Sequence, residues 1–454
     1  MRGRLLLCAP ASGCGKTTVT CALLQALVNR GVPTVAFKSG PDYIDPMFHR
    51  EVMGTPSRNL DLFLMGEAGV LASLRENGRG RVSILEGAMG YYDGIAMSSR
   101  ASAYDLARKT QTPAVLILDA RGSALSAAAL ASGFRDFRPD SNIQGVILNR
   151  VSPMVYPRLK GAIEAETGLR VYGFLPICPE AALDSRHLGL VTAPEVENFR
   201  EKLAALARAA EDSLDIDGLL TLAASAPELP APEEPLPVPV AGKPRIALAR
   251  DRAFCFYYED ALGLLERLGA ELVPFSPLED PGLPEDIGGL YLGGGYPELH
   301  GEALEANAGM RQSVREAISA GLPTIAECGG FMYLHEALED NCGVLRSMAG
   351  VIPGKALRTQ RLQQFGYVKL TAREAGLLCP AGEVIPAHEF HYWKSENPGA
   401  AFLGEKPLSQ RHWDCGYHTP SLYAGFPHMH LAGAPQAARR FVERCGAYQR
   451  RQNP

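Results

Sequence analysis

The chain has 454 residues, which is long for one hydrophobic core and argues for two or three domains. Hydrophobic residues make up 46% and charged residues 21%, an ordinary globular composition that excludes intrinsic disorder. The formal net charge of −5 gives no reason to expect nucleic acid or an anionic membrane as partner.

Short β-branched or Leu-rich runs read as buried strands at Arg4–Ala9, Thr34–Lys38, Val82–Glu86, Ala114–Asp119 and Gln144–Asn149. Thr17–Arg30 and Ser123–Arg135 read as helices. This alternation predicts a parallel sheet covered on both faces. Leu5–Cys8 runs into a glycine-rich loop and is therefore a first strand, not a signal peptide. No apolar run approaches the ~20 residues that span a bilayer, so the chain is expected to stay in the cytoplasm.

Residues 226–244 hold seven prolines in nineteen positions and read as a semi-rigid linker. The expected organisation is an α/β domain over 1–225, the linker, and a second α/β domain over 245–454. In the latter, Arg245–Arg250, Glu271–Phe275, Gly289–Leu292 and Thr324–Ala326 read as strands, and Tyr258–Leu268 and Gly309–Ala320 as helices. The ten cysteines are scattered without a CxxC pair, which argues against a disulfide framework or a structural zinc site.

The first strand leads into Ala-Pro-Ala-Ser-Gly-Cys-Gly-Lys-Thr-Thr at 9–18. Pro10 stands where a Walker loop has its first glycine. The rest fits: Gly13, Cys14, Gly15, Lys16, Thr17 and Thr18 lie between a strand and a helix, where backbone N–H groups wrap phosphate oxygens. Lys16 would reach the β/γ-phosphates of ATP and Thr17 would bind Mg²⁺. Asp42, Asp45, Glu86 and Asp93 follow strands and belong on the same rim. Asp45 and Glu86 are candidate Mg²⁺ ligands, whereas Asp93 reads equally well as a turn residue.

In the second domain, Cys328 follows a short strand and precedes Gly329 and Gly330, the pattern of a nucleophile on a tight strand-to-helix turn. The helix N-terminus is expected to lower its pKa. The Gly329 N–H and a second glycine run containing Gly294 and Gly295 would form an oxyanion hole. A thiol nucleophile needs a base. His300, His335, His388, His391, His412, His418, His428 and His430 are all available, and the pair in Phe-Pro-His-Met-His-Leu stands just before the final helix.

The motifs SGCGKTT, SGPDYIDP, EGAMGYYDG, RDRAFCFYY, YLGGGYPELH, AECGGFMYL and HEFHY, in this order, resemble those of the cobyrinate a,c-diamide synthases. That resemblance covers almost the whole chain. It implies an N-terminal P-loop domain of dethiobiotin-synthetase type that activates a carboxylate with ATP and Mg²⁺. It also implies a C-terminal class I glutamine amidotransferase domain of flavodoxin-like fold. The implied nucleophile is Cys328. The segment matching His430-Leu-Ala-Gly433 implies His430 as its base, with Ala432 where typical class I enzymes carry a glutamate. Asp42, Tyr43, Asp45 and Asp93 would line the corrinoid end. The implied partners are L-glutamine, ATP and a corrinoid, in a monomer or homodimer. Hydrogenobyrinate, nickel-sirohydrochlorin and a cobyric-acid-type reaction remain as alternatives. A P-loop partitioning ATPase is the alternative from a different class, and it would have no use for a cysteine elbow.

Overall fold

The computed structural model describes residues 2–179, 193–230 and 238–452, so part of the expected linker lies outside the described residues. The chain divides into two compact units, Met1–Glu233 and Glu234–Pro454.

The first unit is built on seven strands: β1 (Gly3–Cys8), β2 (Thr34–Ser39), β3 (Ser57–Leu60), β4 (Val82–Glu86), β5 (Ala114–Asp119), β6 (Ile143–Asn149) and β7 (Arg170–Leu175). They pair in the order β3-β2-β4-β1-β5-β6-β7, all parallel. Every residue of β1, β2 and β4 is buried, which is why these strands are mostly apolar and do not alternate apolar with exposed polar residues. Helix Lys16–Asn29 starts directly after Gly15, which is left-handed at φ 92°. Val19, Leu23 and Leu27 of this helix join Leu5, Leu7 and Ile117 in one core.

The second unit holds a six-stranded sheet in the order Glu271–Phe275, Arg245–Ala249, Gly289–Leu292, Thr324–Glu327, Leu422–Gly425, Tyr417–His418. Its first five strands are parallel and the last is antiparallel. Leu290, Leu292, Ala326, Phe331 and Ala424 share its core. Between the fourth and fifth strands the chain makes a long excursion that the sequence reading left blank. It supplies a four-stranded sheet and four strands of an antiparallel five-stranded sheet, the latter led by Gln364–Ala372 against Val384–His391 and completed by His428–Met429. Along these two strands burial alternates, as expected where one face meets solvent. Among the described residues no helix is long and apolar enough to cross a membrane, and all ten cysteines are free.

Candidate active sites

In the first unit the functional side chains gather beyond the carboxyl ends of β1, β2 and β4. Gly13 and Gly15 take φ values of 81° and 92°, which only glycine adopts without strain. A Cβ on Gly15 would come within 2.0 Å of the Asn149 amide. Asn149 donates to the Cys14 carbonyl at 2.9 Å, and Arg150 donates to the Gly13 carbonyl at 3.0 Å while pairing with Asp119 at 2.6 Å. The loop is thus clamped from the end of β6, which the sequence reading did not anticipate.

Lys16 Nζ donates to the carbonyls of Ala11 (3.0 Å) and Met89 (2.5 Å), so it bridges the loop to the segment after β4. Burial and the nearby Lys38 lower its pKa. Thr17 Oγ1 donates to Glu86 Oε1 at 2.7 Å, which brings this expected pair together. Glu86 Oε2 is buried and has no hydrogen-bond partner among the described residues. A buried, unshared carboxylate oxygen beside a threonine hydroxyl is a donor set suited to a hard divalent cation that keeps most of its waters.

Asp45, a candidate Mg²⁺ ligand, stands in an ion pair with Lys38. Lys38, buried at the end of β2, meets Asp45 Oδ2 at 2.5 Å and Glu86 Oε1 at 2.7 Å. Burial opposes the Lys38 charge, but Glu86 and Asp45 outweigh it and hold the ammonium well above its ordinary pKa. Burial pushes Asp45 up, and Lys38 more than reverses that, leaving it lowered. The Asp45 carboxylate is therefore committed to an ion pair. Asp42 is committed to its own turn, where Oδ1 accepts from the N–H groups of Ile44 (2.8 Å) and Asp45 (3.3 Å). Burial and the adjacent Asp45 push Asp42 up to about 6. Tyr43 is buried at the start of the helix Ile44–Glu51. Asp93 is exposed and accepts from the Gly90 N–H at 3.0 Å, the turn role weighed above.

In the second unit, three neighbouring parallel strands deliver their carboxyl ends to one place. Leu292 pairs with Ala326, and Glu327 with Gly425. Cys328 follows Glu327 with φ 47° and ψ −97°, a strained backbone for a non-glycine residue, and caps the helix Gly329–Tyr333. Its N–H donates to the Gly425 carbonyl at 2.8 Å, and the Gly330 N–H to the Gly293 carbonyl at 2.9 Å. A Cβ on Gly330 would lie 2.2 Å from the Leu292 carbonyl, and one on Gly329 would lie 3.1 Å from the Gly295 nitrogen. The two glycine runs therefore interlock around the cysteine. The Gly329 N–H favours the thiolate form of this sulfur.

The expected low thiol pKa is not found. Cys328 is 8% exposed, and burial pushes its thiol well up, with Glu298 and Glu389 adding to the effect. The helix it caps has five residues, too short to offset that desolvation. Burial also pushes Glu298 and Glu389 up to about 7, and each keeps one oxygen without a hydrogen-bond partner among the described residues.

The two histidines of the Phe-Pro-His-Met-His segment face different surroundings. His428 Cε1 lies 2.4 Å from the point where a Gly294 Cβ would sit, so its ring borders the interlocked glycine loop. His430 stacks on Tyr258, with centroids 4.4 Å apart and an interplanar angle of 22°. Burial drives both imidazoles down to about 3, aided at His428 by His388 and His391. Met429, between them, is pinned by Glu327, whose Oε1 accepts its N–H at 2.8 Å while Tyr291 donates to Oε2 at 3.0 Å.

Burial pushes Glu327 up to about 8 from 4.5. The folded chain then keeps a proton that the unfolded chain releases. The associated stability is full below the unfolded value and is lost as pH rises toward the folded one. Glu327→Gln keeps an acceptor for Met429 and never ionises. In urea titrations the variant should match the parent at about pH 5 and exceed its stability at about pH 8.5 by more than about 1 kcal/mol. Equal stability at the higher pH would place Glu327 in an ordinary polar environment.

Two family models match. Residues 5–190 match the CobQ/CobB/MinD/ParA nucleotide binding domain, and residues 245–435 match the CobB/CobQ-like glutamine amidotransferase domain. Among curated relatives, a cobyrinate a,c-diamide synthase of Caldanaerobacter subterraneus subsp. tengcongensis is 40% identical over 97% of this chain and 98% of its own length. One of Thermoplasma volcanium is 37% identical over 99% and 98%, and one of Salmonella typhimurium is 40% identical over 95% of each chain. With both domain models in sequence and near-complete coverage at this identity, the chain belongs to the cobyrinate a,c-diamide synthase family.

Proposed function

We propose that this chain amidates the a and c acetate side chains of cobyrinate with ATP and glutamine, through acyl phosphates, in cobalamin biosynthesis. The observation that carries this reading is identity of 37–40% over nearly the full length of curated synthases with that name. The ten free cysteines suit a reducing cytoplasm, and the chain would act there as a monomer or homodimer.

The second unit is the glutaminase. Cys328 Sγ attacks the glutamine carboxamide carbon, and the oxyanion is met by N–H groups of Gly329 and of the Gly294–Gly295 run. Since burial holds the thiol protonated and the imidazoles neutral, the proton leaves sulfur as the S–C bond forms and is then passed to the departing ammonia. We assign that proton to His428 instead of His430, because His428 borders Gly294 whereas His430 lies flat on Tyr258. Water then hydrolyses the glutamyl thioester.

The first unit is the synthetase. The backbone of Gly13–Thr18 and the Lys16 ammonium hold the ATP phosphates. A corrinoid acetate attacks the γ-phosphorus, ADP leaves, and ammonia displaces phosphate from the acyl phosphate. The Thr17 hydroxyl and Glu86 would hold Mg²⁺, which would supply charge compensation for the phosphoryl group being transferred. Asp45 holds Lys38, whose ammonium offsets negative charge at the reacting carboxylate, and Asp42, Tyr43 and Asp93 shape the loops around the entering acetate.

Mass spectrometry of reactions offered cobyrinate, hydrogenobyrinate and nickel-sirohydrochlorin in parallel tests the substrate, with two amidations of cobyrinate expected. Preference for another ring would reassign it. In the same assay Cys328→Ala should lose glutamine-driven product by more than about 10³-fold and keep ammonia-driven product within about threefold. Loss of both by a folded variant would refute the division of labour.

His428→Asn should slow alkylation of Cys328 near neutral pH by roughly tenfold or more, and His430→Asn by less than about threefold. The reverse pattern would return the base to His430. No effect in either would move it to His388 or His391.

A further inference from the structure

The segment after β4 begins at the phosphate site, where the Met89 carbonyl accepts from Lys16, and ends about ten residues later in a cleft. The cleft has a volume of about 570 Å³ and is lined by Ser98, Arg100, Asp105, Arg108, Lys109 and Arg138 among others. Four cations thus face one carboxylate. Arg108 pairs with that carboxylate, Asp105, at 2.9 Å, and Lys109 pairs with Glu67 at 2.6 Å. Arg100 and Arg138 form no ion pair among the described residues; the Arg138 guanidinium sits 4.7 Å over the Phe137 ring.

The loop that shapes the cleft is built at a cost. Ala96, Met97 and Ala101 all have positive φ, at 49°, 62° and 57°. Each is a left-handed non-glycine residue, a conformation that persists only where surrounding contacts enforce it. Those contacts are the Gly94 N–H on the Ser98 carbonyl (2.8 Å), the Ile95 N–H on the Arg100 carbonyl (3.0 Å) and the Ala101 N–H on Asp105 (2.9 Å). They hold Met97 outside the fold with its side chain fully in solvent, at 103% relative exposure, one residue before the cleft-lining Ser98. Phe137, next to Arg138, is 59% exposed. Its ring is held edge-on by Tyr92, 4.9 Å away, so it is presented rigidly.

Unpaired guanidinium groups beside exposed apolar side chains complement a ligand that is flat and apolar on its faces and anionic around its rim. We propose that this cleft is a subsite for the ring substrate, with Arg100 and Arg138 binding peripheral carboxylates that do not react and Met97 and Phe137 meeting the macrocycle. The subsite rests on the corrinoid reading of the function given above. Arg100 and Arg138 discriminate by charge alone: a carboxylate engages a guanidinium with two oxygens, whereas an ester or primary amide of the same side chain offers only one neutral acceptor.

The test compares the parent with the Arg100→Ala/Arg138→Ala double variant of the full chain. In steady-state assays the KM for cobyrinate should rise roughly tenfold or more, with kcat within about twofold and the KM values for ATP and glutamine unmoved. That split is the mark of lost uniform binding, not lost catalysis. Added KCl should raise the parent's KM for cobyrinate more steeply than the variant's. In equilibrium dialysis without ATP, the parent should retain cobyrinate and release the fully esterified ring, and the Arg100→Lys/Arg138→Lys variant should recover part of the affinity. An unmoved cobyrinate KM, a raised ATP KM, or equal binding of acid and ester would overturn the subsite. If the parent binds cobyrinate in dialysis but never amidates it, the functional reading has failed and the cleft has not. If it does not bind cobyrinate at all, both fall.

Discussion

The Lys38 ammonium is buried between the carboxylates of Asp45 and Glu86, and the polar rim of the first unit is assembled around it. An isolated charge there would cost several kcal/mol of desolvation, and each carboxylate alone would cost as much. Together they are tolerated, provided the geometry is kept. Keeping it fixes the start of the helix Ile44–Glu51, because Asp45 lies in its first turn. It also fixes which Glu86 oxygen is used, leaving the other without a partner, and it aligns Thr17 on that same used oxygen. The phosphate loop, the loop after β2 and the end of β4 are thus held by one ion cluster, not by three separate anchors.

Much of this was legible in the sequence. The parallel strands announced themselves because burial on both faces favours unbroken runs of Leu, Ile, Val and Ala, as in Leu5–Leu7 of β1 and Ala114–Leu118 of β5. The glycine loop and the cysteine elbow were legible because their backbones demand glycine neighbours. The residues that escaped share a feature: Lys38, Asn149 and Glu327 are polar groups at the last or next-to-last positions of buried strands. In a linear reading such a residue looks like the end of the strand, while in a parallel sheet that end is where chemistry collects. Glu86 was noticed for this reason, and the same rule applied evenly would have found the others. The partner of Asp45 was hidden for a related cause. An acidic residue on the rim suggests a cation, and here the cation is a lysine of the same chain, whose partner cannot be known without the β2–β4 pairing.

The antiparallel excursion between Glu327 and Leu422 was invisible for a different reason. Its strands bury one face and expose the other, and the exposed face is not uniformly polar: Phe365 and its cross-strand partner Phe390 both point into solvent. Alternation is hard to see when both phases contain aromatics. The short strand His428–Met429, which follows Leu422–Gly425, pairs with Val384–His391 of the excursion, so the excursion helps to set the position of the histidine segment.

The buried, protonated state of Cys328 carries a consequence for the protein's chemical lifetime. Peroxide and other oxidants attack thiolates, and the sulfenic acid they produce can go on to irreversible acids. A nucleophile that idled as a thiolate would be open to this between every pair of turnovers. At Cys328 the neighbouring Glu298 and Glu389 oppose ionisation and the surrounding protein excludes solvent, so the sulfur rests as S–H. In the proposed reaction nucleophilic power is then expressed only while an amide carbonyl is present to draw the electron pair, and between turnovers the same desolvation guards the thiol from oxidation.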